Sequence, residues 1–170
     1  DVPAGASFYL ELSAEGYVPT GFSSFAGTED FEASTGYPWI ATTSWVEELR
    51  ATYINCESVA ATGGVFAGQV LAAVDGIDDP GSWPAVTGAV VTGIGSDVVE
   101  LPTCYLDDDG LSVGGLTSTG MTGEYAVFGV PVGSAVLQVT AERSGGEMGT
   151  DAFDFIVPDG GLVPVYPTPI

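Results

Sequence analysis

A proline–glycine turn that feeds an alternating strand occurs twice in this chain, and it limits the possible folds more than any other feature. The clearer copy is Gly129-Val-Pro-Val-Gly-Ser-Ala-Val-Leu-Gln-Val-Thr-Ala141. Asp1-Val-Pro-Ala-Gly-Ala-Ser-Phe-Tyr-Leu-Glu-Leu-Ser-Ala14 follows the same plan, with Leu10-Glu-Leu-Ser-Ala-Glu15 matching Leu137-Gln-Val-Thr-Ala-Glu142 at an offset of 127. A period of two after a fixed turn means a strand with one face buried. The first copy has no strand signal ahead of it in this sequence, and the chain is expected to open in the middle of a β-sandwich motif. Either residues 1–16 join the sheet of the later copy, or another chain completes the exposed edge.

Composition agrees with many short strands. Apolar residues make up 45% of the 170, and 25 glycines and 11 prolines punctuate short apolar runs. Charge excludes more. There are 23 acidic residues against two arginines, Arg50 and Arg143, with no lysine or histidine, for a formal net charge of −21. Nucleic-acid binding needs cations on the phosphates, and anionic membranes need the same. Neither kind of partner is expected. No run is long and apolar enough to span a bilayer as a helix. Asp1 is expected to be a processed terminus, its signal peptide removed. Cys56 and Cys104 lack CxxC spacing and have no histidine to share a zinc ion. A disulfide in an oxidising, extracellular setting is the natural reading, with two buried free thiols as the alternative.

Phe8, Leu10 and Leu12 predict a first strand, and residues 22–42 read as aromatic, irregular chain. A single helix is expected over about residues 44–55. Ser44 is its cap, Glu47 completes a capping box, and Glu47 and Glu48 favour the first turn. Trp45, Leu49 and Tyr53 form its apolar stripe, expected to pack on a sheet. Strands follow at Val65–Val74, Ala85–Ile94 and Val98–Leu106, the last placed at an edge by Pro102. In Gly123-Glu-Tyr-Ala-Val-Phe-Gly129, Tyr125 and Val127 point to one face and Ala126 and Phe128 to the other. After Phe153–Val157, residues 162–170 read as a strand ending in a polyproline-like tail.

Read together, Gly68-x-Val70, Gly88-Ala-Val-Val91, Thr119-Gly-Met-Thr-Gly-Glu-Tyr125, Phe128-Gly-Val-Pro-Val-Gly133 and Leu137-x-Val139-x-Ala141 resemble the carboxypeptidase regulatory-like modules. The order of the elements carries the likeness, which covers under half of the chain. It departs from the pattern at Met121-Thr122, where an aspartate is usual. The resemblance implies a transthyretin-like or Ig-like β-sandwich, usually non-catalytic, in secreted and cell-surface proteins. The expected fold is therefore mainly β, one compact unit with a packed helix. Within it, 1–16 is a partial repeat strand, 17–62 an aromatic loop and helix insertion, 64–142 the sandwich, and 143–170 a C-terminal strand and proline-rich tail.

Without histidine or lysine, Ser-His-Asp and Cys-His catalysis cannot be assembled. Carboxylate pairs such as Glu29–Asp30 or Glu47–Glu48 carry no marking spacing, so no enzyme and no catalytic residue is expected. Calcium is the one cofactor considered, at Asp75, Asp78 and Asp79 or at Asp107, Asp108 and Asp109. The competing reading is solvated turn acids. Trp39 and Trp83 are candidates for stacking on a sugar, or else cap the sandwich. The expected role is an extracellular structural subunit that self-assembles into a fibre or surface layer by strand complementation. Its assembly strands are Phe8, Leu10 and Leu12 and the apolar tail Leu162, Val163, Val165 and Ile170. The alternative is a carbohydrate- or calcium-binding module of a surface protein.

Overall fold

The computed structural model describes residues 7–21, 25–26, 40–56, 62–74, 82–95, 97, 99–143 and 146–169. These form a β-sandwich with one helix. The strands are β1 (Ser7–Phe8), β2 (Glu11–Leu12), β3 (Thr20–Gly21), β4 (Phe25–Ala26), β5 (Gly64–Leu71), β6 (Val90–Ile94), β7 (Glu100–Leu101), β8 (Thr103–Tyr105), β9 (Glu124–Val130), β10 (Gly133–Glu142), β11 (Met148–Val157) and β12 (Leu162–Pro169). A six-stranded sheet runs β2-β3-β12-β5-β9-β8, a four-stranded sheet runs β11-β10-β6-β7, and β1 pairs with β4. Helix α1 spans Thr43–Thr52.

The six-stranded sheet is the middle layer, so its strands must be apolar on both faces. In β9, Tyr125 and Val127 join the core shared with the four-stranded sheet, while Ala126 and Phe128 face α1, as the sequence pattern indicated. β5 divides likewise, with Phe66 and Val70 on the sandwich side and Val65 on the helix side. The four-stranded sheet is apolar on its inner face alone. Ala135, Leu137, Val139 and Ala141 of β10 point inward, and the residues between them do not. Phe66 and Phe155 meet across the two sheets at 5.3 Å between ring centroids.

A proline stands at three of the points where the chain changes sheets. β7 passes to β8 at Pro102, β9 to β10 through Pro131, and β11 to β12 through Pro158. Proline cannot donate to a ladder, so it ends pairing where the strand must leave. The Val-Pro-x-Gly element is such a switch. Gly129 and Gly133 on either side of it have φ of 74° and 108°, which favours glycine. One expected strand, Val98–Leu106, is therefore two. Pro102 does mark an edge, but it carries the chain from the edge of one sheet to the edge of the other.

The helix also differs from its expected form. Thr42, with φ −70° and ψ 156°, is the cap, and its Oγ1 accepts the Trp45 N–H at 3.2 Å. Tertiary structure selects it: Thr42 bridges Tyr17, and Val18 N–H donates to the Ala41 carbonyl at 2.8 Å. The chain is thus held extended up to Thr42, and Ser44 falls inside the helix. The first turn then carries no acid, so Glu47 and Glu48 lie beyond it. The buried stripe shifts as well. Val46 and Tyr53 are buried and Leu49 partly so, whereas Trp45 is 36% exposed. The face that meets the sheet follows i, i+3, i+7, and Trp45 lies at its margin.

The first expected strand is broken into β1 and β2 at Tyr9–Leu10. β2 joins the six-stranded sheet at its edge through β3, with Leu12 opposite Thr20. β12 does not trail off as a tail. It lies inside the sheet, parallel to β3 on one side and to β5 on the other.

Candidate functional site

Among the described residues, the two cysteines and the second acidic run lie in one region, where β7 crosses to β8 and Leu116 and Thr117 border the crossing. Cys56 and Cys104 are disulfide-bonded, with Cα atoms 5.8 Å apart. The bond ties the chain just after α1 to β8. Asn55 reinforces it: its N–H donates to Ser112 Oγ at 3.2 Å and its Nδ2 to the Ser112 carbonyl at 2.8 Å.

The second acidic run forms a turn. Asp107 Oδ1 accepts the N–H groups of Asp109 and Leu111 at 3.0 and 2.8 Å, and Gly110 has φ 74°. This is the Asx-turn geometry that favours aspartate in such a place. Asp108 Oδ1 reaches the neighbouring turn and accepts the Met121 N–H at 2.9 Å. Asp109 is exposed. Among the described residues, no group of three or more His, Cys, Asp or Glu side chains is placed to hold a metal ion. Asp75, Asp78, Asp79 and Trp39 lie outside the described residues. Trp83 is half-buried ahead of β6.

Two hydroxyl clusters were not singled out from the sequence. Thr119, 2% exposed, donates to the Val86 carbonyl at 2.6 Å and accepts the Ala89 N–H at 3.0 Å. It holds the approach to β6 against the turn before β9. Tyr105 does the same across the sandwich. Its hydroxyl accepts the Val91 N–H at 2.8 Å and donates to the Val91 carbonyl at 2.9 Å, while Thr103 Oγ1 donates to that carbonyl at 2.6 Å. β7 pairs only with Gly93 and Ile94, so it stops short of Val91. The two hydroxyls stand in for the missing strand. Burial pushes the Tyr105 hydroxyl above the usual tyrosine range, against the opposing effect of its hydrogen bonds. Tyr53 is raised by burial and, secondarily, by the charge of Glu124. In the sequence, Thr119 is marked only as the first residue of the Thr119–Tyr125 motif, and Tyr105, between Cys104 and Leu106, carries no signal of its role.

Beside this region runs an open groove of about 400 Å³ lined by residues that include Leu101, Pro102, Thr103, Tyr105 and Leu116. A smaller hollow of about 230 Å³, bordered by Cys56 and Val113, adjoins it. Glu100 is the acid on the groove wall, and the Tyr105 and Thr103 hydroxyls there are engaged with Val91. The walls offer apolar contact from Leu101, Pro102 and Leu116, one carboxylate, and the threonine hydroxyls of Thr92 and Thr117 beside the engaged pair.

The expected assembly residues are dispersed. Leu162, Val163 and Val165 are buried in β12, and Leu10 and Leu12 are half-buried near the far edge of the same sheet. Phe8 lies in β1, and Ile170 is outside the described residues. Among the described residues no helix is long and apolar enough to cross a membrane. Compared with protein-family models, curated proteins and solved structures, the chain gives no match.

Proposed function

We propose that this chain is a non-catalytic structural unit of an extracellular or cell-surface assembly, its copies joined by exchange of β12. The observation that carries the reading is the use made of its reactive groups. The thiols are in the disulfide, the Asp107 and Asp108 carboxylates hold turn N–H groups, and the Thr103, Tyr105 and Thr119 hydroxyls hold backbone. The disulfide suits an oxidising compartment. The resemblance to carboxypeptidase regulatory-like modules points the same way by analogy.

Strand exchange is supported by how β12 is held. Pro164, Pro167 and Pro169 cannot donate, and its pairing with β5 shifts register between Val165 and Thr168. Leu162, Val163 and Val165 therefore anchor it by burial more than by its ladder. The slot between β3 and β5 accepts the same plug from a second copy, and heterologous contacts that do not close give filaments. Removing Gly160 and Gly161 from the turn before β12 shortens the hinge, which favours exchange. Electron microscopy and sedimentation of this variant beside the native chain are expected to show linked multimers. A variant that stays a folded monomer at every concentration would sink the exchange.

A binding module is the second reading, favoured by the groove beside Pro102. Its expected sign is a rise in melting temperature with calcium or a soluble glycan, without change in mass.

A further inference from the structure

The strand registers of the four-stranded sheet define its outer face row by row. Ser134 lies beside Ile156. Val136 lies between Ile94 and Asp154, Gln138 between Thr92 and Ala152, and Thr140 between Val90 and Thr150. Glu142 lies beside Met148, and Glu100 flanks Ile94 from β7. The alternate residues Val91, Leu137, Val139, Phe155 and Val157 point into the core, so these rows face away from it. All of them are exposed or half-exposed, whereas the outer face of the other sheet carries α1. The centre of the face is uncharged, with apolar side chains and hydroxyls such as the Thr140–Thr150 pair at 2.8 Å. Its acids, Glu100, Glu142 and Asp154, stand on the perimeter.

This arrangement matters in a chain of net charge −21. A basic partner would be drawn to the acidic surfaces and would gain nothing from a neutral patch. A partner that is itself acidic can approach only where carboxylates do not oppose carboxylates. We propose that the outer face of β6, β10 and β11 is a homotypic interface on which a second copy of this chain packs face to face. A two-fold contact places the same neutral centre on both sides and keeps the acids at the rim. Strand spacing and rise give the patch on the order of 400 Å². That is about half of what each partner contributes to a stable interface. The pairing is therefore weak and reversible, suited to copies already concentrated by a shared assembly. It rests on the structural-unit reading but uses a surface that strand exchange leaves free.

The test is sedimentation equilibrium of the native chain in dilute buffer and in about 1 M NaCl, where the Debye length falls to about 3 Å. Monomer in the first and a reversible dimer in the second are expected. Gln138→Glu puts a charge at the centre with little change of shape, and is expected to weaken association at least about tenfold with melting unchanged. Ala51→Asp, on the exposed side of α1, is expected to leave it unaltered. A monomer in high salt at millimolar concentration, or equal association with Gln138→Glu, would overturn the interface. So would equal weakening by Ala51→Asp. Exchanged multimers do not part on dilution and would persist in Gln138→Glu. Finding only those retires the interface and leaves the proposed function standing.

Discussion

Replacing Tyr105 by phenylalanine removes one oxygen and leaves the ring in the core. That oxygen satisfies both backbone groups of Val91, a residue 2% exposed. The carbonyl keeps Thr103 Oγ1 at 2.6 Å, whereas the N–H loses the oxygen it donates to. An orphaned buried donor costs about 1–3 kcal/mol, and roughly 2 is expected here. Thr103→Val is milder, about 1 kcal/mol or less, because Tyr105 still donates to the carbonyl. The double variant leaves Val91 without either partner, so its loss is expected to exceed the sum by about 0.5 kcal/mol or more. Urea unfolding of the four proteins measures the cycle. The pH profile is a second readout. Tyr105 is raised above 10.0 in the folded chain, so its contribution is complete below that pH. It is lost as the unfolded state begins to ionise. The deficit of Tyr105→Phe should therefore narrow above pH 10. A variant within about 0.5 kcal/mol of the native chain, with an unchanged pH profile, would refute the account of Val91.

Reducing the disulfide opens a loop of separation 48 and is expected to cost about 4 kcal/mol in the chain-entropy model, read as a fall in urea midpoint with reductant. A loss below about 1 kcal/mol would mean that the unfolded chain is already compact. Tyr53 and Tyr105, both raised, should make native stability flat up to pH 10 and falling above it, by up to about 1.4 kcal/mol per pH unit for each. A profile flat to pH 12 would contradict their burial. Gly68→Ala should destabilise by about 1–3 kcal/mol in thermal melts, because a methyl there meets the Val165 carbonyl and lies 2.9 Å from the Tyr125 hydroxyl. An unchanged melting temperature would show that β12 can give way.

What the sequence disclosed follows from where each signal originates. β9 was legible to the residue because a strand buried on both faces must be apolar at every position, and Tyr125 to Phe128 can be divided between faces by alternation alone. The disulfide was legible because two cysteines without histidine leave few options. The helix was legible as an element but not in its cap, since the choice of Thr42 over Ser44 is made by Tyr17 and Val18, far away in the chain. Pro102 announced an edge without saying that the chain crosses there. β12 was legible as a strand, but its prolines, which argue locally against an interior position, hid its place between β3 and β5; burial of Leu162, Val163 and Val165 overrides them. The aspartate run suggested a cation by composition; that Asp107 and Asp108 each give one oxygen to backbone N–H groups was not legible from spacing alone.

The place of β12 has a consequence for how the chain is made. Its neighbours β3 and β5 are separated from it by most of the sequence, and neither pairs with the other. During synthesis from the N-terminal end, the six-stranded sheet exists as two fragments, β2-β3 and β5-β9-β8, until β12, which follows all five of them in the sequence, arrives to join them. The fold is thus completed by one late insertion, as an arch stands only when its keystone is set. Before that moment both edges of the gap are open to any strand of similar shape, and a neighbouring nascent copy is the nearest supply.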